Sequence, residues 1–295
     1  MADAFVDVLE QIPRGLVYVG MGIVLLVFAR LVQDFLTPYK IQEQLRTHDN
    51  VALALSITGY YLGIVIVFLG AMYQPFRLIL DSGLGFTSDY WEDVLRVLIY
   101  TGIGIVILNV ARMVVDKLVL HQFSTEKEII DDHNVGTGAV EAAVYVAVGL
   151  ITAGSISGEG GGPETSLAFL GLGLAALILY TLFYEMTTSY DLHDEIEHGN
   201  AAVGVALAGN LVAIGLVVFK AVFGEFTTWE DALAGFLVYA VVGFVLLFVV
   251  RRITDLVLFP KVSVAHELAV DRNLGVAFIV SAMVISVSLI LFFAL

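Results

Sequence analysis

The chain has 295 residues, of which 59% are hydrophobic, with a mean hydropathy of +0.92, a net charge of −15 and no cysteine. The missing cysteines exclude disulfides, thiolate metal sites and cysteine nucleophiles. The acidic balance excludes binding to nucleic acid, whose phosphates it repels, and suits polar loops solvated in high salt, as in a halophile.

Eight apolar runs have the roughly 20-residue length that crosses about 30 Å of hydrocarbon. They lie near 15–36, 51–73, 94–116, 135–156, 165–188, 201–223, 232–257 and 274–295. Little length is left for a soluble domain, so an all-α polytopic membrane helical bundle is expected. Its first half is 1–157, with repeats at about 12–75 and 91–157; its second is 164–295, with repeats at about 164–225 and 229–295.

Ahead of the first run, MADAFVDVLEQ carries acids where a signal peptide needs positive charge, so that run is read as retained. It ends with Arg30 and Asp34, and Thr37-Pro38 then reads as an N-cap with proline at the first helical position. Gln44-Leu45 and Asn50 follow, and the second run holds the small-xxx-small pair Gly59 and Gly63. Tyr90-Trp91-Glu92-Asp93 opens the third run, and the aromatics suit a membrane interface. That run ends with Asn109, Arg112 and Asp116; Thr125 to Glu128 fits a capping box, and Asn134 leads into the fourth run. Residues 157–163, SGEGGGP after Ile156, read as a flexible link. The fifth run closes on Tyr184 and Thr188 and is followed by DLHDEIEHGN, 191–200, with Asp191 as a cap. Trp229-Glu230-Asp231 opens the seventh run, Arg251 and Asp255 close it, and Ser263, Glu267 and Asn273 precede the eighth.

A shift of 139 positions carries Arg112 onto Arg251, Asp116 onto Asp255, Glu128 onto Glu267, Asn134 onto Asn273 and Gly136 onto Gly275. The WED triplets match at a shift of 138. Arg30, Asp34 and Asn50 repeat the theme in the first quarter, Glu195 and Asn200 in the third. Each unit is therefore an apolar helix, a short interfacial helix, an Asn and a second apolar helix, four times in parallel. Asn50, Asn134, Asn200 and Asn273 suit a left-handed C-cap or the N-cap of the next helix.

Two-helix units put every polar segment on one side of the bilayer. That side carries ten Lys and Arg (Arg30, Lys40, Arg46, Arg112, Lys117, Lys127, Arg251, Arg252, Lys261, Arg272), and the other carries four (Arg14, Arg77, Arg96, Lys220). The positive-inside rule then makes the polar segments cytoplasmic and both termini external in a cell membrane.

Arg30 with Asp34, Arg112 with Asp116 and Arg251 with Asp255 each fall four apart, on one helical face; snorkelling Arg with weak pairing to Asp is expected. All six histidines, at 48, 121, 133, 193, 198 and 266, lie in polar segments. His193 and His198 point about 140° apart on a helix. Asp194 and His198 are the better pair but only a weak metal candidate, so no metal and no cofactor are expected. Glu141 lies two turns beyond Asn134, where the other units have Ile57, Leu207 and Val280. An acid at membrane depth costs roughly 2.5–3.5 kcal/mol on insertion scales. Asn109, Asn210 and Tyr145 are its candidate neighbours, as an ion path or as polar glue between helices. Phosphate loops, nucleophile elbows, zinc motifs and triads are missing from the sequence, so no enzymatic activity is expected.

The third unit, DLHDEIEHGNAAVGVALAGNLVAIGLVV, resembles the integral-membrane family known as domain of unknown function 350, or YjfL-like. Asp194, Glu195, Ile196, Gly199, Asn200, Ala206 and Gly209 carry the resemblance. The other units keep the Asn and have Asp49, His133 and Arg272 in place of Gly. The resemblance implies a multi-pass membrane protein and brings no chemistry with it. Two functions are expected from the residues: a non-catalytic component or scaffold whose cytoplasmic face binds a protein partner, within an oligomer, or a channel or transporter for a small ion or proton through Glu141.

Overall fold

A computed structural model describes residues 2–82, 88–118, 124–258 and 262–294, with side chains described over 12–73, 90–111, 113, 124–257 and 262–294. The described residues form twelve helices in chain order: α1 (Ala2–Leu36), α2 (Ile41–Thr47), α3 (Val51–Ser82), α4 (Ser88–Leu118), α5 (Thr125–Ile130), α6 (Val135–Ser157), α7 (Pro163–Thr187), α8 (Leu192–Glu197), α9 (Ala201–Val222), α10 (Trp229–Leu258), α11 (Val264–Ala269) and α12 (Leu274–Ala294). Eight of them are long and apolar enough to cross a membrane. The four short ones, α2, α5, α8 and α11, occupy the four polar segments.

The second long helix of each repeat forms an inner row, α3, α6, α9, α12, in which each packs along the next. The first long helices form an outer row. There α4 contacts α3 and α6, α7 contacts α6 and α9, α10 contacts α9 and α12, and α1 lies more lightly against α3 and α4. Burial peaks in the middle of the inner row: 72% of the most apolar window is buried in α6 and in α9, against 50% in α3, 39% in α4 and α7, 33% in α12 and 22% in α1 and α10. The outer helices present Val, Leu, Ile and Phe outward, including Phe28, Leu31, Leu237 and Val245. Lipid tails are as apolar as these side chains, so dispersion and shape, rather than hydrophobic transfer, hold the rows together.

Small residues bring the inner helices backbone to backbone. A methyl built on Gly59 would stand 2.3 Å from Ala142 Cα, one on Gly204 2.4 Å from Gly136 Cα, and one on Gly209 2.4 Å from Ser281 Cβ. These three contacts join α3 to α6, α6 to α9 and α9 to α12, so the same seam occurs three times.

Some local expectations change. Thr37 does not start α2; its hydroxyl donates to the Gln33 carbonyl at 2.9 Å and closes α1, while Lys40 is the N-cap residue. The second cap is Ser124 rather than Thr125, accepting from the Lys127 N–H at 3.4 Å, and the Glu128 carboxylate accepts from Asn134 instead of completing a capping box. Asp191 and Ser263 cap α8 and α11 as expected. The Gly-rich link, expected to be flexible, is tied to the α9–α10 loop. Glu159 N–H donates to the Gly224 carbonyl at 3.2 Å and Phe226 N–H to the Glu159 carbonyl at 2.7 Å.

Candidate functional site

The polar elbows share one construction. The residue before each asparagine has left-handed backbone: Asp49 (φ 48°), His133 (51°), Gly199 (73°) and Arg272 (50°). That conformation turns the chain sharply out of the short helix and costs a non-glycine residue roughly 1–2 kcal/mol. Only the third unit has glycine there. The next residue, the asparagine, is the N-cap of the inner helix: Asn50 Oδ1 accepts from Leu53 N–H at 2.9 Å, Asn134 from Thr137 at 3.2 Å, Asn200 from Ala202 at 3.1 Å and Asn273 from Val276 at 3.2 Å.

The amide nitrogen of each asparagine does two further things. It donates to the acidic or amide residue of its own short helix: Gln44 at 3.3 Å, Glu128 at 2.7 Å, Glu195 at 2.8 Å and Glu267 at 2.8 Å. In the first three repeats it also reaches the next repeat. Asn50 donates to the Ile129 carbonyl at 2.7 Å, Asn134 to Ile196 at 2.6 Å and Asn200 to Leu268 at 2.9 Å. Asn50, Asn134 and Asn200 are at most 5% exposed. The sequence pattern of one Asn with one Glu, or Gln44 in the first unit, is thus a staple that sets the four short helices side by side at one end of the bundle.

The Arg–Asp positions diverge between repeats. Arg30 and Asp34 make an exposed ion pair, Nε to Oδ2 3.7 Å. The Arg112 and Asp116 side chains lie outside the described residues. Arg251 does not pair with Asp255; its guanidinium covers the Tyr184 ring at 4.4 Å, a cation–π contact. Tyr184 holds the arginine's place in the third repeat, so repeat four grips repeat three by the position where the two sequences differ.

Glu141 lies about 9 Å inside α6, at 1.5 Å per residue, and is 2% exposed. Of its three candidate neighbours, the two asparagines bond to other groups. Asn109 donates to Tyr60 Oη at 3.0 Å and to the Ile105 carbonyl at 2.7 Å. Asn210 donates to the Ala206 carbonyl at 2.9 Å and accepts from Tyr180 Oη at 3.4 Å. Tyr145 is fully buried, edge-on to Tyr60 with ring centroids 5.1 Å apart.

Asp194 and His198 form an exposed pair, Nδ1 to Oδ1 3.3 Å. A hydrogen bond to the Asp194 backbone carbonyl, and then the Asp194 carboxylate, raise the His198 pKa above its ordinary 6.5. Lys127 is held above its usual 10.5 by a 3.0 Å hydrogen bond to Asp132. Burial pushes the Tyr190 hydroxyl up. Among the described residues no three His, Asp or Glu side chains gather as a metal site. Sequence reasoning missed one pair with a buried histidine: His193, 4% exposed, places Nδ1 3.0 Å from the half-buried Glu185 Oε1 at the end of α7. The two residues are eight apart across a helix break, which no periodicity reports.

With this geometry in place, two comparisons bear on kinship. The profile of the family described as Domain of Unknown Function (DUF350) matches twice in tandem, at residues 7–156 and 161–295. The chain belongs to this family. It is similar to a UPF0719 transmembrane protein of Aquifex aeolicus (strain VF5), 23% identical over 262 residues, covering 87% of this chain and 91% of that one. It is also similar to the UPF0719 transmembrane protein YshE of Bacillus subtilis (strain 168), 30% identical over 122 residues, 41% of this chain and 84% of that one. No solved structure matches.

Proposed function

We propose that this family member is a non-catalytic component of the cell membrane whose four short helices present a fixed, acidic cytoplasmic face to a protein partner. The asparagine staples carry the reading. They bind the elbow asparagines and their Gln44, Glu128, Glu195 and Glu267 partners internally, and leave Glu43, Glu126, Asp131, Asp194, Glu197 and Asp271 of the elbows exposed. Carboxylates held at fixed spacing by rigid backbone suit recognition of a basic surface, because little side-chain and loop ordering remains to be lost on binding. Charged rims act mainly on association rate and specificity, so binding should weaken with salt.

The test is co-purification from native membranes at low and high salt, with an Asp194→Lys, Glu197→Lys variant as comparison. The reading expects a basic protein to be retained at low salt and lost with the variant, whose thermal unfolding stays within a few degrees of the parent. Retention that ignores both salt and charge reversal contradicts it.

A second reading rests on Glu141, an acid 2% exposed within a span, and makes the chain a carrier of protons or small cations. Proton and cation flux into liposomes separates the two. Robust flux abolished by Glu141→Gln favours transport; liposomes as tight as protein-free ones favour the scaffold.

A further inference from the structure

The inner row is open at both ends, and its two ends complement each other. Aligning the repeats on their asparagines gives every inner helix two seam faces. The face towards the next repeat is Ala52, Gly59 and Gly63 on α3, Gly136, Ala143 and Ala147 on α6, and Ala202, Gly209 and Ala213 on α9. On α12 the same positions are Gly275, Ala282 and Ser286, all exposed and all small. An ordinary lipid-facing strip, as on α10, is instead built from Leu and Val.

The receiving face is Gly138, Ala142 and Gly149 on α6 and Ala277, Ser281 and Ser288 on α12. On α3 these positions are Ala54, Thr58 and Val65, of which Thr58 and Val65 are exposed. Thr58 corresponds to Ser281, whose hydroxyl crosses the α9–α12 seam to the Val205 carbonyl at 3.0 Å.

Two further observations point the same way. Every inner helix but α12 sits in the groove between the outer and inner helices of the following repeat, as α3 does between α4 and α6. The remaining groove of that kind, between α1 and α3, is an apolar cavity of about 540 Å³ lined by Tyr18, Gly22, Leu25, Ile64, Val65 and Leu69. The fourth asparagine also differs from the other three: Asn273 bonds its own Glu267 and caps α12, and among the described residues its amide makes no bond to another repeat. Leu45 of α2 holds the place of Ile129 and Leu268, the carbonyls that receive the staples.

We propose that a second copy of this chain seats its α12 in the α1–α3 groove, so that the repeat array continues head to tail from copy to copy. The interface is continuous with one that already exists, since the α6–α9 seam joins the two family-sized halves, 7–156 and 161–295, in the same register. Asn273 of one copy then staples to the Leu45 carbonyl of the other, and Ala282 meets Thr58 as Gly59 meets Ala142. Contacts of this heterologous kind end in a closed ring when the rotation per copy closes.

The chain has no cysteine, so paired cysteines can be introduced singly. Differently tagged copies carrying Ala282→Cys and Thr58→Cys are co-expressed and oxidised in native membranes. The proposal expects a disulfide-linked dimer containing both tags, at least tenfold over the pair Ala282→Cys with Phe28→Cys, which places the second thiol on the outer row. Ala282→Trp, a change on an exposed face, should leave the monomer folded by size-exclusion elution and cut the oligomer fraction at least tenfold. Cross-linking of Ala282→Cys only to itself overturns the proposal, because it reports a symmetric α12 contact. So does a folded Ala282→Trp variant that associates as well as the parent, or a monomeric mass in native-lipid discs.

Discussion

The amide nitrogen of Asn134 lies 2.6 Å from the Ile196 carbonyl, across the boundary between the two family-sized halves. The same side chain caps its own helix through Thr137 N–H and bonds Glu128, so one residue joins three elements. Asn134→Ala removes a cap, worth about 1 kcal/mol, and leaves buried partners unsatisfied at about 1–3 kcal/mol more. A loss of about 2–4 kcal/mol is expected for Asn134→Ala and Asn200→Ala, read as unfolding in detergent by circular dichroism. Asn273→Ala, which loses only a cap and an intra-repeat bond, should lose about 1–2 kcal/mol on the same principles in the monomer. Equal losses at all four asparagines would mean that the bonds between repeats add nothing.

Left-handed backbone before the asparagine gives a prediction of opposite sign. Asp49 has φ 48° and an exposed side chain, so Asp49→Gly relieves strain and should stabilise by about 0.5–1 kcal/mol after glycine's entropy cost in the unfolded chain. Gly199→Ala, at φ 73°, should destabilise by about 1 kcal/mol. Thermal midpoints of both variants in one detergent decide this.

The inner seams have no spare room. A Cβ at Gly204 would lie 2.4 Å from Gly136 Cα, and one at Gly149 2.8 Å from Gly63 Cα. Backbone has to move to admit either methyl, and overpacking of this type costs about 1–3 kcal/mol or more. Gly102 and Gly171 meet nothing within 4 Å. Alanine there should be neutral or stabilising by up to about 1 kcal/mol, as expected for Gly→Ala inside a helix. Fluorescence-detected size exclusion after a heat step should rank the four variants in this order.

His198 supplies a pH test. Its pKa is raised in the folded state by the Asp194 carbonyl hydrogen bond and then by the Asp194 carboxylate. Its contribution to stability is therefore fully present below the ordinary value of 6.5 and is lost as pH rises through the higher folded value. The side chain is fully exposed, so the readout is titration of its ring protons by NMR rather than unfolding. Asp194→Asn should move the midpoint part of the way back, since the backbone carbonyl remains. An unchanged midpoint would mean that the carboxylate contributes nothing.

Hydropathy and the internal match at a shift of 139 positions carried the spans and the fourfold repeat, because membrane crossing is a demand of length and composition. Which helix lies inside was harder to read. Lipid and protein interior are equally apolar, so α10 and α9 look alike by hydropathy, and only the density of Gly and Ala separates them. The asparagines were legible as caps, but their bonds between repeats were not, since those depend on how the short helices sit beside one another. Left-handed turns at Asp49, His133 and Arg272 escaped because glycine, the usual marker, stands only at Gly199. At the fourth repeat the four-residue spacing of Arg251 and Asp255 suggested an ion pair, whereas the arginine covers Tyr184 of the neighbouring repeat.

Parallel repetition, with all four elbows at one end of the bundle, underlies both the proposed partner-binding face and the proposed head-to-tail array. Single cysteines at Glu43, Lys127, Glu197 and Glu267 in the cysteine-free chain, probed with a membrane-impermeant maleimide, test it directly. All four sites should be protected in intact cells and labelled in inverted vesicles. Labelling of any two from opposite faces of the membrane would contradict the architecture.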